Sequence, residues 1–166
     1  MKNVLLVRHA KSSWSNQGLD DKDRPLNKRG QRDGPFMAAH SRHLGFRIDS
    51  ILSSPANRAL TTAKFFKSEY QAETDDISIE SDLYFGSESD WLHLINELPE
   101  DTKFPAFFSH NPTITIMANM FAKSILDNVP TCGVIHLQSA ASTWQEFDTN
   151  NTVMANYYFP KLVRKG

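Results

Sequence analysis

Three short apolar runs constrain this chain most, because polar residues capable of chemistry close each one. Residues 4–7 run into Arg8-His9, Ile51-Leu52 runs into Ser53-Ser54-Pro55, and residues 106–108 run into Ser109-His110-Asn111-Pro112. Runs of this length, rich in branched and aromatic side chains, read as strands buried on both faces. Between them lie stretches of helical character. Residues 27–44 predict a helix that stops at Gly45, although Gly30 and Gly34 weaken it. Pro55 opens a second, with Ala59, Leu60, Ala63 and Phe66 along one face. Residues 88–98 predict a third, closed by Pro99, and Pro112 opens a fourth with Ile116, Met117, Met120 and Phe121 inward. A weak strand is expected over 77–80, and three more over 133–138, 142–147 and 153–159.

Alternation of this kind predicts an α/β fold, a three-layer sandwich with helices on both faces of a mostly parallel central sheet and late antiparallel strands. A chain of 166 residues with 40% hydrophobic side chains fits one domain, residues 1–166. The formal net charge of −1 carries no basic excess that would point to nucleic acid. The apolar N-terminal run is too short for a signal peptide or a membrane span, so a soluble cytoplasmic chain is expected. The one cysteine, Cys132, rules out an intrachain disulfide and reads as a small buried hydrophobe rather than a nucleophile. The acidic stretch 73–82 reads as surface.

In sheets of this type ligands bind beyond the carboxyl ends of the strands. Three strand ends would deliver Arg8, His9, Arg58 and His110 to one edge. Arginine offers a fixed fork of donors that matches phosphoryl oxygens. Neutral histidine has a lone pair near neutral pH and can act as a nucleophile without a metal. A second histidine, protonated, can donate to the transferring group. Singly, each has a plainer reading: Arg58 as a surface salt-bridge partner, His110 as a cap or core residue. Three strand ends agreeing is what favours chemistry. His40, His43, His93 and His136 lack such placement and read as surface or packing residues. No H-E-x-x-H, C-x-x-C, P-loop or G-x-G-x-x-G occurs, so neither a metal nor a cofactor is expected.

These segments also resemble a known family. Leu6-Val7-Arg8-His9-Ala10 is similar to the signature of the histidine phosphatase superfamily, the phosphoglycerate-mutase-like group. Residues 53–59 with Thr61-Thr62-Ala63 resemble its second motif, and Ser109-His110-Asn111-Pro112 its third. Residues 8–14 and Asp23-Arg24-Pro25-Leu26, continuing to Arg29-Gly30, resemble the small SixA-type branch, the phosphohistidine phosphatases. The resemblance implies a phosphoglycerate-mutase-like fold and a phosphorylated intermediate on the outer nitrogen of His9, with the inner one held by a backbone carbonyl. It implies that Arg8 and Arg58 bind phosphate and that His110 completes the pocket. Arg24 would reach the phosphate, or else pair with Asp20 or Asp23 to order the loop; Ser12 or Asn16 would add a hydrogen bond. Asp82, with Glu80 close by, falls where many members carry a general acid. The expected substrate is a phosphoprotein bearing phosphohistidine, or a small phosphoester; a phosphate-binding module without turnover is the non-enzymatic reading. Mutase activity is not expected, since lid segments and a clear acid motif are missing.

Overall fold

The computed structural model describes residues 1–71, 73–74 and 76–166. Asp75, within the acidic stretch expected at the surface, lies outside the described residues. The elements are β1 (Lys2–Arg8), α1 (Lys28–His43), β2 (Ser50–Ser53), α2 (Asn57–Glu69), β3 (Ser78–Ile79), α3 (Asp82–Phe85), α4 (Glu88–Asn96), β4 (Pro105–Ser109), α5 (Thr113–Phe121), β5 (Val134–Ser139), β6 (Thr152–Tyr158) and α6 (Pro160–Lys165). Six strands form one sheet in the order β3-β2-β4-β1-β5-β6. The first four are parallel, and β5 and β6 add antiparallel at one edge.

Strand alternation splits the apolar residues between two cores. Val4 and Leu6 face one way and pack with Trp91, Ile95, Met117 and Phe121 of α4 and α5. Leu5 and Val7 face the other and pack with Met37, Ala38, Ala63 and Phe66 of α1 and α2. This is the expected three-layer sandwich. β1 is its centre: buried on both faces and hydrogen-bonded on both edges, it fixes where Arg8 and His9 emerge.

The glycines that weakened α1 as a prediction mark close approaches. A Cβ at Gly30 would run into the Lys11 carbonyl oxygen, and one at Gly34 into the Phe65 ring. The Asn27 N–H donates to that same Lys11 carbonyl at 2.9 Å, and the Asn27 side chain caps α1 by accepting from the Gly30 N–H. Gly45, at φ 83°, ends the helix in the left-handed region as expected.

Several expectations need correction. Residues 142–147 form no strand. Trp144–Glu146 is a single 3-10 turn, capped reciprocally by Thr143 and Glu146. The fully buried Trp144 ring donates to the Thr102 carbonyl at 3.1 Å, so the tryptophan plugs a core instead of pleating in a sheet. The weak strand over 77–80 shrinks to two paired residues. In α5 the inner face is Ile114, Met117, Ala118 and Phe121, the i, i+3, i+4, i+7 stripe that starts at Ile114, and Ile116 falls outside it and is exposed. α3 and α6 were not anticipated; both are too short to show a periodicity.

Candidate active site

Three strand ends converge as the sequence requires. Arg8 closes β1, and its Nη1 donates to the Val129 carbonyl at 2.7 Å. His9 follows, its N–H donating to the Ser109 carbonyl of the neighbouring β4. Arg58 sits in the first turn of α2. His110 follows β4, and its ring centre lies 5.0 Å from that of His9. All but the part-exposed Arg8 are buried. Together with Ser12 and Arg24 they line a pocket of about 260 Å³ that Lys11, Trp14, Asn111 and Thr131 complete.

Hydrogen bonds fix the tautomer of His9. A carbonyl oxygen only accepts, so the 2.7 Å contact between Nδ1 and the Ala10 carbonyl places the proton on Nδ1. The lone pair is then on Nε2, the outer nitrogen. Burial lowers the His9 pKa to about 3, opposed by the Ala10 carbonyl and aided by Arg58, Arg8 and Arg24. The ring is neutral throughout the physiological range.

His110 was expected protonated. Instead burial, His9, Arg58 and Arg8 pull its pKa to about 2, against a weaker pull from Asp21. Its Nε2 pairs with Ser54 Oγ at 2.7 Å, and its buried Nδ1 has no partner among the described residues. The buried Nε atoms of Arg8 and Arg58 are likewise unpartnered. Buried polar atoms without partners are uncommon in folded proteins. A bound phosphoryl dianion would supply acceptors here and, by its charge, shift His110 toward imidazolium.

Asp21, absent from the sequence expectations, organises the pocket's arginines. Its Oδ1 accepts from Arg24 Nη2 at 3.0 Å, and its Oδ2 from Arg58 Nη2 at 3.0 Å and from the Tyr84 hydroxyl at 2.6 Å. Asp20 and Asp23 were the expected partners of Arg24; the 3-10 turn over Asp21–Asp23 turns the middle carboxylate inward instead. Arg24 also donates to Ser12 Oγ at 2.9 Å and lies 3.6 Å from the Trp14 ring centre. Tyr84, Arg24 and Arg58 hold the Asp21 carboxyl well below the usual range, so it stays ionised. Asn16 faces its own loop, accepting from the Gly18 N–H.

Asp82 and Glu80 are not brought into the pocket. Asp82 opens α3 with its side chain exposed and outside the lining, because Leu83 takes the inward position. Glu80 accepts from Ser78 Oγ at 2.6 Å and faces a separate groove beside β2. Cys132 is fully buried behind the pocket wall, and burial pushes its thiol up in pKa. His136 packs between Phe46 and Phe104, as a packing residue should. Among the described residues no group of three or more His, Cys, Asp or Glu is arranged to hold a metal, and no helix is long and apolar enough to cross a membrane.

The family model of the histidine phosphatase superfamily (branch 1) matches residues 4–103, which include His9 and Arg58. The chain belongs to that superfamily. An uncharacterized chloroplastic protein of Arabidopsis thaliana is 29% identical over 160 residues, spanning 87% of this chain and 70% of its own length. A crystal structure from Agrobacterium tumefaciens, assigned as the phosphohistidine phosphatase SixA, superposes with a TM-score of 0.80 at 25% identity, covering 96% of this chain and 98% of that one. The protein histidine phosphatase SixA complexed with tungstate superposes with a TM-score of 0.73 at 17% identity, covering 97% and 99%. Family and fold together assign SixA-type architecture and phosphatase chemistry to this histidine phosphatase.

Proposed function

We propose that this histidine phosphatase hydrolyses phosphohistidine carried on a protein, without a metal, through a covalent intermediate on His9. The observation that carries this is the pocket lining: two neutral histidines, Arg8, Lys11, Arg24 and Arg58, and no carboxylic acid among the described residues. The arginines and His110 would bind the three phosphoryl oxygens and offset their charge. His9 Nε2 would attack phosphorus in line. The bond from phosphorus to the leaving atom breaks, and its electron pair goes to that atom.

An alkoxide leaving group needs a proton at this moment, a role in which a general acid contributes about 10²–10⁴-fold. A phosphohistidine protonated on its other ring nitrogen leaves as neutral imidazole and needs none. With no carboxylic acid among the described lining residues, and with His110 engaged with a phosphoryl oxygen and not the leaving atom, the pocket favours the P–N bond over an alkyl ester. Water then attacks phospho-His9, whose Nδ1 keeps its proton against the Ala10 carbonyl, and phosphate is released with His9 neutral again.

The test follows phosphate release from a phosphohistidine-bearing protein and from p-nitrophenyl phosphate, in excess chelator, with His9→Ala beside the wild type. Release that survives chelator and is lost in the variant supports the reading. Faster release from the aryl ester alone would mark a small-molecule phosphatase. Full activity in His9→Ala would remove the intermediate, and loss of wild-type activity in chelator would remove metal independence.

A further inference from the structure

Behind the pocket lies a second cavity, of about 450 Å³, that phosphoryl transfer does not use. Its walls come from α1, from the segment 130–131 and from the start and body of α6. Thr131 lines both cavities. Its neighbour Cys132 donates its backbone N–H to the His9 carbonyl at 3.0 Å, and Arg29 reaches Thr131 Oγ1 at 3.3 Å from the other side. One short piece of backbone thus separates the nucleophile from the second cavity.

The charges there are one-sided. Arg29, Arg32, Lys161, Arg164 and Lys165 face a single carboxylate, Asp33. Asp33 is buried and serves as an anchor: its Oδ1 accepts from Arg164 Nη2 at 2.7 Å and from Arg32 Nε at 3.2 Å, with Arg29 Nε 4.0 Å from Oδ2. One carboxylate cannot neutralise three guanidinium groups, and the side chains of Arg29 and Arg32 remain more than half exposed. Lys161 and Lys165 are exposed and form no ion pair among the described residues. Pro130, Phe159 and Pro160 add apolar surface between the cations. Cations around an apolar floor suit carboxylate side chains, whose methylene stems can lie on the floor while their heads meet the rim.

We infer that this cleft binds an acidic segment of the phosphoprotein substrate, flanking its phosphorylated residue. The inference rests on the phosphoprotein reading above. An extended chain advances about 3.3–3.6 Å per residue, so a segment that crosses the wall at Thr131 brings neighbouring side chains into the cleft. The cleft would then add binding that is equal in ground and transition states, which appears in KM and not in kcat.

The test compares two phosphohistidine peptides, one flanked by glutamates and one by alanines, on the wild type and on Lys161→Glu/Lys165→Glu. The expected result is a KM about tenfold lower for the glutamate peptide on the wild type, with equal kcat. Added salt should shrink the difference, and the double variant should abolish it while turning over p-nitrophenyl phosphate at the wild-type rate. The neutral pair Lys161→Gln/Lys165→Gln should fall between, and serves if charge reversal disturbs folding. Equal KM values on the wild type, or a preference that persists in both double variants, would overturn the cleft assignment. A preference abolished by citrate but not by hexaglutamate would mark a site for small polyanions and overturn the peptide. No turnover of either peptide beside intact p-nitrophenyl phosphate turnover would instead remove the phosphoprotein reading on which the inference stands.

Discussion

At the scale of single residues, the chemistry depends on what each side chain is tied to. His9 is suited to the nucleophilic role proposed for it through one hydrogen bond, from Nδ1 to the Ala10 carbonyl, which leaves Nε2 unprotonated. Arg58 is fixed by two bonds to Asp21 and aims the rest of its fork at the pocket. Arg58→Ala should lower kcat/KM by about 10²–10³-fold, the usual cost of a lost oxyanion donor, in steady-state assays on p-nitrophenyl phosphate. Asp82→Asn should leave the rate on aryl and alkyl phosphates unchanged within about twofold, since that side chain lies outside the lining. A drop of about 10²-fold or more on the alkyl ester, the lower end of a general acid's contribution, would restore Asp82 as an acid. Asp21 was illegible in the sequence for a simple reason. In a run of mixed charges, local spacing does not say which carboxylate turns inward.

At the scale of elements, the pocket is held by links between pieces distant in the chain. The Thr62 hydroxyl, on α2, donates to the Arg58 carbonyl at 2.8 Å and accepts from the Ala10 N–H at 2.9 Å, so one hydroxyl ties α2 to the loop that carries His9. Thr62→Val keeps the shape but strands the buried Ala10 N–H, and should destabilise the fold by about 1–3 kcal/mol in urea unfolding. A change below about 0.5 kcal/mol would mean the N–H finds another partner. Elements that were long and periodic were legible: α1 and the central strands fall where their patterns place them, and α2 keeps its expected inner face but starts at Asn57, two residues after Pro55. The turn over Trp144–Glu146 was not, because Thr143, Trp144 and Phe147 are side chains that strands favour, and nothing local says that the tryptophan plugs a core instead.

At the scale of the whole molecule, placing two neutral histidines beside arginines couples function to stability. In the unfolded chain His9 and His110 take up a proton below about pH 6.5, whereas in the folded protein their pKa values are about 3 and about 2. The unfolded state therefore binds more protons between these limits, so stability is full above pH 6.5 and falls as pH drops. Each fully displaced group contributes about 1.4 kcal/mol per pH unit. Thermal unfolding from pH 7.5 to 5 should show a falling Tm, and His110→Gln should flatten that fall; an unchanged slope would mean that His110 protonates readily in the fold. The layered α/β architecture, the parallel strands and the meeting of Arg8, His9, Arg58 and His110 were legible in one dimension. Those follow from hydrophobic period and from the rule that strand ends of a parallel sheet share one edge. Packing of distant segments settles that Asp21 orders the arginines, that Asp82 stays outside, that His110 is neutral and that a cationic cleft adjoins the pocket. Burial, protonation and the pairing of charges depend on which distant segments pack together, and a local pattern does not carry that information.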